Sequence, residues 1–485
     1  MAFLNMFYSK KPSQLKNLRF IYFVGIKGVA MTALAIVAKE MGIKVNGSDV
    51  GEEFITDAVL KRNKISWQRG FKKENITTLK RKPDLVVVTG AHGGMTNPEA
   101  LAAKEIGLKV MMHGQALGMF MDSFQGIAVA GCHGKTTTAA MVATILAKSG
   151  LDPCFAVGSG DIFCLSNPGH AGQGKYFVAE ADEYLTCPLT DKTPRFLWQN
   201  PKIAVFTNIE YDHPDAFTDL EAVKKAFSKF SQKIPQDGLL VAGIDNQNLR
   251  QILPDVTCPM ITFGRSPLSD YQIIRISFGQ ERTWFRVKHK EIDLGEFSLQ
   301  VPGAHNVLNA LAGAVVANRL GISWEKIKKG LKAFSGTKRR FEKIGAVNGI
   351  FLYDDYAHHP TEIRATLKAA RDWFPKKRII CIFQPHTYSR TKALFSEFAR
   401  SFKEANIGII VDIYSSAREK DDLGINSKML VNEAKKHRQN VYYLAKKRGV
   451  LDWLRKNALS GDIIFTMGAG DIFSWHTELL ETLKE

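Results

Sequence analysis

Gly131-Cys132-His133-Gly134-Lys135-Thr136-Thr137-Thr138 places two glycines, a lysine and three hydroxyls within eight positions. Those residue types suit phosphate chemistry. Glycines let backbone N–H groups converge on phosphate oxygens, Lys135 can reach the β- and γ-phosphates, and the Thr136 hydroxyl can ligate Mg²⁺. The spacing is tighter than the general G-x-x-x-x-G-K-[ST] pattern, which narrows the choice of nucleotide-binding loops. Two acidic clusters follow, Glu180-Ala181-Asp182-Glu183 and Asn208-Ile209-Glu210-Tyr211-Asp212-His213. Mg²⁺ takes oxygen ligands, so a threonine hydroxyl, one such carboxylate and the oxygens of ATP would complete a site, with His213 adding an imidazole.

The flanking residues predict the elements that must hold these groups. The apolar run Ile127-Ala128-Val129-Ala130 precedes the loop and a helical pattern (Met141, Ile145, Leu146) follows it, a strand–turn–helix with the helix N-terminus facing the phosphates. Tyr176-Phe177-Val178-Ala179 runs into the first acidic cluster and Ile203-Ala204-Val205-Phe206 into the second. Both clusters therefore belong at the carboxyl ends of sheet strands, where α/β proteins bind ligands. Short antiparallel strands are expected between residues 259 and 301, and then a helix after Pro302-Gly303-Ala304-His305-Asn306.

Upstream, Phe20-Ile21-Tyr22-Phe23-Val24, the turn Gly25-Ile26-Lys27-Gly28, a helix with Met31, Leu34, Val37 and Met41, and a strand ending at Gly47-Ser48-Asp49 form a βαβ unit. Lys27 and Ala30 stand where dinucleotide loops favour glycine, which disfavours hydride chemistry. Downstream, Ile350-Phe351-Leu352-Tyr353, Ile379-Ile380-Cys381-Ile382-Phe383, Ile409-Ile410-Val411 and Ile463-Ile464-Phe465-Thr466 alternate with helical patterns. The expected fold is α/β in three domains: a Rossmann-like N-terminal domain (1–124), a central P-loop ATPase-like α/β domain (125–336) and a Rossmann-like C-terminal domain (337–485).

Composition agrees with a chain of this kind. A length of 485 residues exceeds what one core supports, and 45% hydrophobic with 24% charged residues is ordinary for a globular protein. Lys and Arg number 66 against 48 acids, a net charge of +18 that favours anionic ligands. The basic residues are scattered doublets with no zinc-finger or aromatic-stacking motif, so no nucleic-acid partner is expected. Six cysteines without C-x-x-C spacing predict a reducing compartment. The N-terminal Met1 to Tyr8 does not follow the order of a secretory signal, and the apolar stretch Gly28 to Ala38 is too short to span a bilayer. A cytoplasmic enzyme without membrane insertion is the expectation.

Seven ordered motifs carry a resemblance: the phosphate loop, Glu180–Glu183, Asn208–His213, His305-Asn306-Val307-Leu308-Asn309-Ala310, Lys338-Arg339-Arg340-Phe341, Asp354-Asp355-Tyr356-Ala357-His358-His359-Pro360-Thr361 and Phe383-Gln384-Pro385-His386-Thr387-Tyr388-Ser389-Arg390-Thr391. Together, in this order, they resemble the Mur ligases over nearly the whole chain, from Gly25 to Met31 at one end to Met467-Gly468-Ala469-Gly470-Asp471-Ile472 at the other. The resemblance implies an ATP- and Mg²⁺-dependent enzyme of peptidoglycan precursor synthesis that joins L-alanine to the carboxylate of UDP-N-acetylmuramate through an acyl phosphate. Phe383–Arg390 and Ser416-Ala417-Arg418-Glu419 are similar to the alanine-adding member, whereas Glu180–Tyr184 and Asp191-Lys192 are similar to a relative that adds a whole tripeptide. A nucleotide-binding protein without catalytic function is the reading from another class.

Carried onto this sequence, the resemblance implies that Gly131, His133, Gly134, Lys135, Thr136 and Thr137 hold the phosphates, and that His305 and Asn309 meet adenine. Asp355 faces the ribose. Thr136 and Glu180 hold one Mg²⁺, and His213 lies near a second metal and the reacting carboxylate. Arg339 or Arg340 approaches the transferred phosphate. Tyr356, His358, His386 and Arg390 surround the amino acid, and Gly25, Gly28 and Asp49 line the UDP subsite. Cys132 stands where the family usually has Thr; backbone does the binding there, so activity is expected to survive.

Overall fold

The computed structural model describes residues 15–279, 281–415, 419, 421–437 and 440–484. Ser416, Ala417, Arg418 and the segment Met1 to Tyr8 lie outside the described residues. The chain is mixed α/β, and its described residues build three large sheets in sequence order, each with helices against it, and one two-stranded hairpin.

The first sheet has five parallel strands in the order Trp67–Arg69, Lys44–Asp49, Phe20–Val24, Leu85–Val88, Val110–Met112. Phe20–Val24 sits at its centre and is buried along its whole length. This continuous burial is why the strand reads as an unbroken apolar run with no polar alternation. The helix Val29–Glu40 covers one face with Met31, Leu34 and Val37.

The second sheet has ten strands. Its parallel heart runs Met260–Gly264, Leu239–Gly243, Ile203–Phe206, Gln125–Ala130, Tyr176–Ala181, Cys154–Ala156. Gln125–Ala130 lies between the two strands that carry the acidic clusters, with Ala130 level with Ala181 on one side and Phe206 on the other. The phosphate loop and both clusters thus leave the sheet at one edge. The expected antiparallel strands, Tyr271–Gly279, Arg282–His289 and Ile292–Leu299, extend this same sheet by joining Met260–Gly264 through Tyr271. The helices Lys135–Lys148 and Ala304–Arg319 pack against each other, with Gly313 beside Val142 and Ile145.

In the third sheet, five parallel strands run Ile350–Asp355, Ile463–Met467, Ile379–Phe383, Ile407–Ile410, Val441–Tyr443, and Glu342–Val347 pairs antiparallel at the edge. The strand Ile350–Asp355 delivers Asp354 and Asp355 at its carboxyl end, and the helix Pro360–Trp373 starts five residues later.

Candidate active site

Two glycines shape the phosphate loop. Gly131 (φ 142°) and Gly134 (φ 83°) take backbone conformations that L side chains rarely adopt. A Cβ at 131 would collide with Thr207 Oγ1, and one at 134 would lie 2.5 Å from Asn309 Oδ1. The Asn208 side chain braces the turn from both sides: His133 N–H donates to its Oδ1 (2.9 Å), and its Nδ2 donates to the His133 carbonyl (2.9 Å). Cys132 is buried, with its thiol donating to the Glu210 carbonyl (3.1 Å) and lying 3.2 Å from the Glu210 N–H. Burial pushes that thiol well above the usual range.

Lys135 opens the helix Lys135–Lys148 but its ammonium folds back. It donates to the Gly131 carbonyl (2.6 Å) and to both oxygens of Glu183 (2.9 and 3.2 Å), a carboxylate only 1% exposed. Burial disfavours the charge, yet Glu183 and Asp182 hold the ammonium above its ordinary range. Thr136 Oγ1 donates to Glu180 Oε2 (3.0 Å), while Glu180 Oε1 accepts from Gly158 N–H (2.6 Å). Burial raises the Glu180 carboxyl despite these partners and Lys135. A hydroxyl and a carboxylate in contact form the oxygen donor set that suits Mg²⁺.

The second acidic cluster meets the third sheet. His213, at φ 57°, puts Nε2 3.8 Å from Glu183 Oε1 and 3.7 Å from Asp212 Oδ2. Asp182, Glu183 and His213 present ligand atoms within 4.8 Å of one another. Asp212 accepts two donors from Arg390, and Arg390 Nη2 also lies 3.3 Å from His213 Nδ1. The Nη1 of Arg390 lies 3.3 Å from His386 Nδ1, the His386 ring is 6.1 Å from that of His358, and the His358 ring is 5.2 Å from that of Tyr356. Tyr356, His358, His386 and Arg390 are therefore one cluster joined to the phosphate side through Asp212 and His213.

A cavity opens between the second and third sheets. Its lining includes His133, Gly134, Thr136 and Thr137 from the phosphate loop and its helix, His305 and Asn309 from the helix Ala304–Arg319, and Arg340, Asp355 and Glu362 from the third unit. Asp355 accepts N–H bonds from Phe341 and Ala357 (both 2.8 Å), and burial lifts its carboxyl to about 6 against those bonds and Arg340. Burial, with Arg340 nearby, depresses His305 to about 4.

Of the two arginines, either of which is expected to approach the transferred phosphate, Arg339 does not line the cavity. It is 3% exposed, and its guanidinium donates to Asp354 Oδ2 (2.7 Å) and the Gly468 carbonyl (2.7 Å). It ties the carboxyl ends of two strands together, and Arg340 alone of the pair reaches the cavity.

Gly25, Gly28 and Asp49 are not brought to this cavity. They form the first unit's own turn: Gly25 (φ 83°) donates to the Ser48 carbonyl (2.9 Å), Gly28 caps the helix Val29–Glu40, and Asp49 accepts Lys27 N–H (2.7 Å). Lys27 itself is buried between the rings of Phe54 (4.7 Å) and Trp67 (4.5 Å). A hairpin of the central unit, Leu185–Cys187 with Asp191–Pro194, docks against the first unit so tightly that a Cβ at Gly90 would lie 2.5 Å from the Thr186 carbonyl.

Sequence reasoning missed Glu362, the carboxylate that touches three of the expected groups, and Glu183 as the partner of Lys135. A signal for Glu362 existed. His359-Pro360-Thr361-Glu362 reads as N-cap, proline at N1 and Glu at N3, and the structure forms that capping box. Nothing in the spacing says that the same carboxylate also reaches another unit.

Three family models match in series: "Mur ligase family, catalytic domain" over residues 20–125, "Mur ligase middle domain" over 129–317 and "Mur ligase, glutamate ligase domain" over 339–470. The UDP-N-acetylmuramate–L-alanine ligase of Acetivibrio thermocellus is 42% identical over 466 residues, 95% of each chain. That of Desulfitobacterium hafniense is 42% identical, covering 93% of this chain and 97% of its own. Among solved structures, the UDP-N-acetylmuramate-alanine ligase MurC from Thermotoga maritima superposes with a TM-score of 0.78 at 28% identity, covering 95% of this chain and 98% of that one. The murein peptide ligase mpl from Psychrobacter arcticus gives 0.71 at 27% identity, covering 96% and 99%.

Proposed function

The chain belongs to the Mur ligase family, and we propose that within it this enzyme joins L-alanine to the carboxylate of UDP-N-acetylmuramate at the expense of ATP. The observation that carries this reading is the meeting at His213: one ring nitrogen faces Glu183, the partner of Lys135, and the other faces Arg390 of the Tyr356–His358–His386–Arg390 cluster. A phosphoryl donor and an amine acceptor bound on either side would share one reacting carboxylate.

The sugar carboxylate attacks the γ-phosphorus of ATP; an O–P bond forms, the β–γ bridge breaks and ADP leaves. The alanine amine then adds to the acyl-phosphate carbonyl, and phosphate departs from the tetrahedral intermediate as the amine gives up a proton. Phosphoryl transfer needs placement and charge neutralisation above all. Lys135 exchanges Glu183 for phosphate oxygens, Arg340 approaches from the third unit, and His305, Asn309 and Asp355 hold the nucleoside. Thr136 and Glu180, with His213 for a second ion, would hold Mg²⁺, which supplies positive charge against the phosphates.

His358 faces the amino-acid side as a neutral hydrogen-bond acceptor, and the amine proton leaves with the phosphate, a stronger base than this imidazole. Its Nδ1 lies 2.9 Å from the Tyr356 carbonyl, the geometry of a donor, which leaves Nε2 with its lone pair. Burial holds the imidazole at about 4, opposed by Glu362, so it is neutral at pH 7. Gly25, Gly28 and Asp49 belong to the UDP side, and the domains divide near residues 124 and 336.

We infer that the reaction runs in the cytoplasm, a reading supported by six free cysteines, which suit a reducing compartment. Among the described residues no helix is long and apolar enough to cross a membrane. Phosphate release in the presence of ATP, Mg²⁺ and UDP-N-acetylmuramate, with L-alanine, glycine, L-serine and the tripeptide offered in parallel, tests the reading. L-Alanine should give the highest kcat/KM; turnover with the tripeptide alone would overturn it.

A further inference from the structure

Glu362 is an odd residue to find in the wall of a cavity meant for a polyanion. Its carboxylate is 11% exposed and sits at the third position of the helix Pro360–Trp373. Oε2 accepts the N–H groups of His358 (3.1 Å) and His359 (3.3 Å), closing the helix cap. Oε1 faces two basic groups from elsewhere: His133 Nδ1 of the phosphate loop at 3.3 Å and Arg340 Nη1 at 3.6 Å. On the other side of His133, Nε2 faces Glu210 at 3.4 Å, and Glu210 accepts the Thr361 hydroxyl (2.8 Å). The His359 ring, 4.7 Å from that of His133, closes the fourth side.

We propose that Glu362 is a positioning residue that couples the third unit to the phosphate loop, fixing His133 and Arg340 in the directions from which they meet the phosphate chain. A capping box needs only the two backbone contacts, and glutamine supplies those as well as glutamate. The contacts to His133 and Arg340 need the charge. His133 belongs to a loop between strand and helix, and Arg340 to a loop of a different sheet; Glu362 is the group that both of them face. The central and third units are therefore registered on each other at the place where phosphate must be held.

The discriminating variant is Glu362→Gln, which keeps the cap and the volume and removes the charge. Amide hydrogen exchange of residues 131–138 in the nucleotide-free protein should become several-fold faster, whereas exchange within the helix Pro360–Trp373 stays as in the wild type. That arm does not depend on which amino acid the enzyme adds. The kinetic arm rests on the ligase reading: kcat should fall about 10–100-fold, as expected for a misplaced reacting group, with KM for the UDP-sugar within about twofold. In a double-mutant cycle with His133→Gln, the second substitution should add little to the first. Unchanged exchange in the phosphate loop, or fully additive losses, would overturn the proposal. Faster exchange in the helix as well would make Glu362 a cap and nothing more, which also overturns it. Absence of turnover in the wild type counts against the ligase reading and leaves the exchange result to decide this one.

Discussion

Arg390 reaches across from the third unit to Asp212 in the central unit with two donors, Nε at 3.1 Å and Nη2 at 3.0 Å, both directed at the single oxygen Oδ1. Each side chain is 5% exposed. Arg390 thus engages Nε and Nη2 on Asp212 and turns its Nη1 toward His386. Asp212→Asn should do two things. It leaves a buried guanidinium without its counter-ion, a loss of about 3–5 kcal/mol of stability, and it frees the guanidinium to turn, raising KM for the amino acid. Urea denaturation and steady-state kinetics check both; an unchanged KM would detach Arg390 from the acceptor side.

Lys135 gives a second prediction. Because its ammonium neutralises buried Glu183, Lys135→Ala should abolish turnover and also destabilise the nucleotide-free protein. Adding Glu183→Gln should recover much of the stability and none of the turnover. Retention of most of the kcat in Lys135→Ala would remove the lysine from the phosphate site.

The two adjacent arginines should part company. Arg340→Ala, at a side chain 30% exposed in the cavity wall, should lower kcat strongly and leave thermal stability nearly as it was. Arg339→Ala abandons Asp354 in the interior and should cost about 3–5 kcal/mol, read by denaturation before any kinetic effect is interpreted. The reverse assignment of losses would restore Arg339 as the phosphate-side residue.

The fourth prediction concerns pH. Burial opposes the charge on His133, but Glu210 and Glu362 outweigh it and lift the imidazole from 6.5 to about 10, while their own carboxyls are held below 4.5. A raised histidine contributes stability that is full below 6.5 and lost as pH rises through 10; lowered carboxyls contribute above 4.5 and lose it as pH falls. The stability difference between wild type and His133→Gln should therefore be largest between pH 4.5 and 6.5, and gone above 10. Denaturation midpoints across pH 5–10 measure it, and a difference that grows toward pH 10 would contradict the network.

Much of this arrangement was legible in the residues. An apolar run ending in Gly131 fixes a strand, a turn and a helix by local rules, and apolar strands that end in acids place Glu180 and Asp212 at one sheet edge without any knowledge of the fold. The resemblance added the third unit's partners. What stayed hidden was long-range choice between neighbours of the same chemistry. Nothing local tells Arg339 from Arg340, yet one turns inward to Asp354 and the other outward to the cavity, because Arg339 has a left-handed backbone (φ 61°) that reverses its direction. Asp182 and Glu183 likewise differ by one position in a strand end, which sends one to Arg195 and the other to Lys135. The antiparallel strands after residue 270 were foreseen as strands, but their continuity with the central sheet depends on the pairing of Phe263 with Tyr271, which no composition announces.

The docking of the Leu185–Cys187 hairpin against Gly90 divides the molecule's mechanics unevenly. A missing side chain at residue 90 is what lets the first and central units lie flush, and Arg62 with Asp161 and His170 with Glu40 pin the same seam farther out. A methyl at position 90 would therefore press into the Thr186 carbonyl and pry at the seam between the first and central units, while the seam between the central and third units rests on charged groups, Glu362 with His133 and Arg340, and Arg390 with Asp212.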